Sequence, residues 1–120
     1  DSGNPNPGNG GALTKGSFTS NAVTVVWTKG SDTVTPQASL QYSVYFSLSA
    51  NMNTVDQIER SGTQGVPYTT NIDFAPVVRL TPDTKYYFNV IVRDGNGNKS
   101  SYNRLTACTR KPSGNIPPKC

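Results

Sequence analysis

The chain has 120 residues, 33% of them hydrophobic and 15% charged, with 11 glycines, 9 prolines and no histidine. That length holds one domain with its own core plus tails, and the missing histidine excludes Ser-His-Asp, Cys-His and His-ligated metal chemistry. No apolar run approaches the roughly 20 residues of a membrane-spanning helix, and no signal peptide precedes Asp1, so a mature, soluble product is expected. The net charge of +4 is uneven: residues from Arg79 onward carry +6 and the first 78 carry −2. Charges gathered in this way can attract an acidic glycan, a phosphate-rich polymer or an anionic surface, although interspersed lysine and arginine also serve solubility.

Taken in order, residues 1–12 (DSGNPNPGNGGA) offer few side chains to bury and read as a flexible tether. Leu13 to Phe18 can form a first strand anchored by Leu13 and Phe18. Asn21 to Thr28 is a clearer one, with Val23, Val25 and Trp27 on one face. Lys29 to Ser39 carries Gly30 and Pro36 and reads as a long loop. In Leu40 to Ser47, Leu40, Tyr42, Val44 and Phe46 alternate with Gln41, Ser43 and Tyr45, the period of a half-buried strand. Thr54 followed by Gln57 forms a capping-box pattern and Gly62 a stop, so one short helical turn is expected near Thr54 to Glu59, with Ile58 as a plug at the core edge.

Pro67 and Pro76 would each remove a ladder hydrogen bond, so Val66 to Thr70 reads as an irregular crossing and Asn71 to Arg79 as an edge strand. Pro82 and Asp83 redirect the chain into Lys85 to Arg93, where Tyr86, Phe88, Val90 and Val92 face inward and Lys85, Tyr87, Asn89, Ile91 and Arg93 face outward. Asp94 to Asn98 is a turn-dense loop. Lys99 to Thr109 supplies a last strand with Tyr102 and Leu105 buried, and residues 110–120 form a Pro-rich basic tail. Cys108 and Cys120 are too widely spaced for a CxxC motif and suit a disulfide, which implies an oxidising compartment outside the cytoplasm, extracellular or periplasmic.

Trp27, the Tyr42-x-Val44-x-Phe46 strand and the Leu80-x-Pro82-x-Thr84-x-Tyr86 spacing, in this order, resemble the fibronectin type III family over residues 13–109. The resemblance implies an all-β, immunoglobulin-like sandwich of about seven strands, with Tyr86 as the corner tyrosine that hydrogen-bonds back across its turn. The helical turn after the third strand resembles bacterial variants of the family. The Gly/Pro/Asn-rich leader resembles the segment that follows the lipidated cysteine of bacterial surface lipoproteins, which would supply a membrane tether, although no such cysteine is present.

Catalysis is not expected. The seven carboxylates, Asp1, Asp32, Asp56, Glu59, Asp73, Asp83 and Asp94, lie mostly in turns, with no two placed to flank a glycosidic bond. Asp94, Asn96 and Asn98 alternate as calcium ligands do, but Lys99 and Leu105 occupy the positions where an EF-hand needs its glycine and glutamate. Gly95 and Gly97 lead into a strand and not a helix, so no phosphate loop forms. Asn98-Lys99-Ser100 is a formal glycosylation sequon. No cofactor, metal or nucleic-acid partner is expected, and the domain is expected to be monomeric.

The resemblance implies that the third and sixth strands are neighbours, so Tyr45, Lys85, Tyr87, Ile91 and Arg93 make a candidate binding face. Asp94, Asn96 and Asn98 make a candidate loop beside it. The expected role is recognition or adhesion at a cell surface, with a protein or glycan as partner. The alternatives are a structural spacer in a multidomain surface protein and an accessory domain of a secreted polysaccharide-degrading enzyme.

Overall fold

The computed structural model of the protein describes residues 4–111. Its strands are β1 (Leu13–Phe18), β2 (Val23–Trp27), β3 (Gln41–Ser47), β4 (Thr63–Thr70), β5 (Phe74–Val77), β6 (Lys85–Arg93), β7 (Lys99–Ser101) and β8 (Leu105–Cys108), with one α-helix among the described residues, α1 (Val55–Ser61). A three-stranded sheet of order β1-β2-β5 faces a five-stranded sheet of order β4-β3-β6-β7, in which β8 also pairs with β6. Every pairing is antiparallel. The expected last strand is split in two around Tyr102, which turns inward and is 1% exposed.

The alternation read from the sequence builds the space between the sheets. Val23, Val25 and Trp27 of β2 meet Tyr42 and Val44 of β3 and Tyr86, Phe88, Val90 and Val92 of β6, with Ala75 and Val77 closing from β5. Leu13 and Phe18 are half-buried at its margin. Trp27 packs its ring 5.8 Å from Tyr42 and 6.4 Å from Tyr102, and its Nε1–H donates to the Ile72 carbonyl at 3.1 Å. A buried indole thus keeps its polar edge satisfied. The corner tyrosine is in place: the Thr81 N–H donates to Tyr86 Oη at 2.8 Å, and Asp83 takes φ 51° in the turn between them.

Three segments differ from expectation. The stretch expected as an irregular crossing belongs to β4, a continuous edge strand. Its register to β3 shifts twice, between Tyr42 and Val44 and again between Val44 and Tyr45. Pro67 and Tyr68 together oppose Ser43, a bulge whose slack is taken up by Ser43 Oγ donating to the Val66 carbonyl at 2.6 Å. Pro67 is tolerated because β4 is an edge. The strand expected over 71–79 is only Phe74–Val77, also an edge, with Pro76 on it.

Residues 4–12, expected as part of a tether, lie against the sandwich. Asn6 exchanges both backbone hydrogen bonds with Ser31, at 2.7 and 2.9 Å, and Pro5 is buried. Tyr102 Oη donates to the Thr28 carbonyl at 2.6 Å and accepts from the Gly8 N–H at 3.3 Å. The approach needs small residues: a Cβ on Gly8 would collide with the Lys29 carbonyl oxygen, and one on Gly30 would lie 2.6 Å from the Asn6 oxygen. The expected pairing of Cys108 with Cys120 and the tail over 112–120 fall outside the described residues. No helix among the described residues is long and apolar enough to cross a membrane.

Candidate functional site

The expected binding face lies on the outer side of β3 and β6, and its centre is covered. α1 forms where the capping box predicts: Thr54 Oγ1 accepts from the Gln57 N–H at 3.1 Å, and Gln57 Oε1 accepts from the Asn53 N–H at 3.1 Å. The helix lays Ile58 on the sheet, where Met52, Ile58 and Ile91 are each 0% exposed and form a second small core. Tyr45, Val55, Tyr68 and Tyr87 pack around it, half-buried. Ile91 therefore does not face solvent as expected, and Tyr45 and Tyr87 are structural walls before they are exposed rings. The reason is the apolar stripe of α1 and the loop before it, which fold back onto β6.

Asn89 fixes that cover. It is 0% exposed, and its Nδ2 donates to the Met52 carbonyl at 2.7 Å and the Tyr102 carbonyl at 2.9 Å. In sequence it is simply one of five outward residues of the strand. A polar amide between aromatic and aliphatic neighbours, with the Ile58 turn, is the signal that something covers this face.

Two basic edges remain beyond the helix. At one, Lys85 Nζ lies 5.8 Å and Arg104 Cζ 5.1 Å from the Tyr87 ring centroid, and Arg104 Nη1 donates to the Ala50 carbonyl at 2.9 Å. Neither cation pairs with a carboxylate among the described residues.

At the other edge, Arg93 sits beside Gln41 on β3 and Lys99 on β7. Its guanidinium carbon lies 3.8 Å from the Tyr68 ring centroid, and its Nε donates to Gln41 Oε1 at 2.7 Å. Tyr68 reaches this outer face only because of the bulge at Pro67: Val66, two residues earlier, packs into the inner core instead. Burial, and then the neighbouring Tyr45 and Glu59, push the Tyr68 hydroxyl up to about 12, against the opposing pull of Arg93. Its buried oxygen has no hydrogen-bond partner among the described residues. Lys99 Nζ pairs with Glu59 Oε2 at 2.8 Å. Ser39, Gln41, Arg93, Asp94, Gly95, Gly97 and Lys99 line a cleft of about 430 Å³ here.

The expected binding loop is built by its own acid. Asp94 is 5% exposed, Oδ1 accepts from the N–H groups of Asn96 and Asn98 at 2.9 Å each, and Oδ2 accepts from Asn98 Nδ2 at 3.0 Å. The carboxylate oxygens are thus spent on the turn, and the described residues contain no group of three or more His, Cys, Asp or Glu side chains placed to hold a metal ion. The same tie occupies the amide of the Asn98 sequon. Asn96 remains exposed. Covering the Asp94 carboxyl raises its pKa, but the donors from Asn98 and Asn96 outweigh this and hold it below the usual carboxylate value.

A depressed acid stabilises the fold above its unfolded pKa of about 3.9 and loses that contribution as pH falls through the lower folded value. The stability gap between wild type and Asp94→Ala is expected to be constant above about pH 5 and to close below pH 4. Urea melts of both proteins across this range test it, and a gap unchanged at pH 3 would contradict it.

No protein-family model and no curated protein matches the chain. Among solved structures, the fn3 domain of human contactin 1 superposes with TM-score 0.64 at 18% identity, covering 94% of this chain and 82% of that one. The FN1-FN3 domains of chicken CNTN1 superpose with TM-score 0.61 at 16% identity over 91% of this chain, which spans only 33% of that structure. Chitinase ChiA74 from Bacillus thuringiensis gives TM-score 0.59 at 24% identity over 92% of this chain and 14% of the enzyme. With two antiparallel sheets, a corner tyrosine and these neighbours, the protein has a fibronectin type III-like fold.

Proposed function

We propose that the domain is a non-catalytic recognition or adhesion module, extracellular or at a cell surface, that engages an acidic glycan or protein through the basic edges of its β3-β6 face. The observation that carries this reading is the parking of Lys85, Arg104 and Arg93 on half-buried tyrosines, with no carboxylate pairing to any of them among the described residues. A cation over an aromatic face keeps much of its charge available to a ligand while its stem is held in place. The chain has no histidine for acid-base or nucleophilic work, and Asp94 is occupied within its own loop.

The spacer reading gains from the second core, since the aromatic residues expected to be exposed serve as packing for α1. The accessory-domain reading draws only on the chitinase likeness.

Affinity electrophoresis separates these readings. The domain is expected to be retarded by polygalacturonate and not by dextran, with the retardation falling as salt rises. Lys85→Ala/Arg104→Ala is expected to weaken retardation about tenfold, since exposed ion pairs contribute up to about 1 kcal/mol each. Equal mobility in both matrices would leave the spacer reading.

A further inference from the structure

We infer that the cleft beside Arg93 is a subsite for a single carboxylate-bearing sugar, with the carboxylate on the Arg93 guanidinium. The inference rests on the proposed function only in taking the ligand to be a glycan, and it concerns the opposite edge of the face from Lys85 and Arg104. The Arg93 side chain is fixed before any ligand arrives: its guanidinium carbon lies over the Tyr68 ring, 3.8 Å from the centroid, and Nε is held by Gln41 at 2.7 Å. Its two Nη groups make no hydrogen bond or ion pair among the described residues. A guanidinium held over an aromatic ring and by Nε presents the two-pronged donor edge that matches a planar carboxylate, and little side-chain freedom is left to lose on binding.

Charge around the cleft narrows the ligand. Asp94 lines it but is covered and accepts three N–H groups, and Lys99 is already paired with Glu59. The site therefore offers one uncommitted cation next to a satisfied anion, which suits a monoanion better than a phosphate dianion. The volume of about 430 Å³ lies within the range of small-ligand clefts. Ser39 and Gln41 supply polar groups on the wall for ring hydroxyls.

The test is an amide chemical-shift titration of the folded domain with methyl glucuronoside, methyl glucoside and inorganic phosphate. Methyl glucuronoside is expected to bind in the millimolar range and to shift Gln41, Arg93 and Gly95 to Lys99, while methyl glucoside produces no saturable shift. Arg93→Lys keeps the charge and loses the fork, and is expected to weaken binding about tenfold, whereas Lys15→Ala, which removes a cation from β1 on the other sheet, leaves it unchanged. Equal binding of the neutral sugar, undiminished binding by Arg93→Lys, or shifts centred on Tyr87 would each overturn the subsite. Phosphate binding as tightly as the uronoside would reduce it to an unselective anion contact and overturn the sugar assignment. If polygalacturonate fails to retard the domain but the glucuronoside still shifts Arg93, the subsite stands and the wider adhesion reading falls.

Discussion

Ile91→Ala is expected to destabilise the domain by about 2–5 kcal/mol, the cost of emptying a fully buried aliphatic site that can collapse only in part. A residue on an open sheet face would cost within about 0.5 kcal/mol, so the experiment separates a covered face from an exposed one by a wide margin. The cover is specific: Ile91 meets Ile58 from α1 and Met52 from the loop before it, all three 0% exposed. A double-mutant cycle with Ile58→Ala should give a coupling above about 0.5 kcal/mol, because the two side chains share one cavity. Equilibrium urea melts supply both numbers. Lys85→Ala, on the same strand but exposed, serves as the control and should move the midpoint little.

Asn89→Ala is expected to be strongly damaging. It strips the donor from the Met52 and Tyr102 carbonyls, and each buried carbonyl left without a partner costs about 1–3 kcal/mol. The loss should show locally before it shows globally. Hydrogen exchange in residues 52–61 is expected to quicken while β2 and the inner half of β6 stay protected. Asn89→Asp sharpens the test, since a carboxylate in this position would face two carbonyl oxygens and its pKa would rise. Such a variant binds protons more readily when folded than when unfolded, so its stability should recover as pH falls towards 4 and decline as pH rises. A variant whose stability does not depend on pH between 4 and 7 would mean that Asn89 does not hold the loop.

The inner half of the fold was legible because each of its signals is local or strictly periodic. Tyr86, Phe88, Val90 and Val92 alternate, Trp27 ends its strand among valines, and Thr54 with Gln57 caps the helix within a few residues. The outer half was not legible, because there the period-2 rule states only which side a residue faces and not what lies on that side. Ile91 and Asn89 do lie on the outer face, yet the covering elements come from residues 52–58, more than 30 positions away. Tyr68 was lost for a different reason. A bulge adds one residue to one strand and reverses the faces of everything beyond it, and a proline in the sequence marks where this can happen without showing that it does. The loop was half-read: the turn chemistry of Asp94 to Asn98 was clear, but the same acid offered as a ligand is consumed in making the turn.

The docking of residues 5–11 has a mechanical meaning. A pull on the chain from its N-terminal side does not begin by peeling β1 from its sheet. The load first meets the Asn6–Ser31 pair and the Tyr102 hydroxyl bridging Gly8 and Thr28: Ser31 and Thr28 lie on the β2–β3 connection, and Tyr102 on the β7–β8 connection. Tension is therefore passed to two connections, one joining the sheets and one within the five-stranded sheet, before any strand is asked to separate.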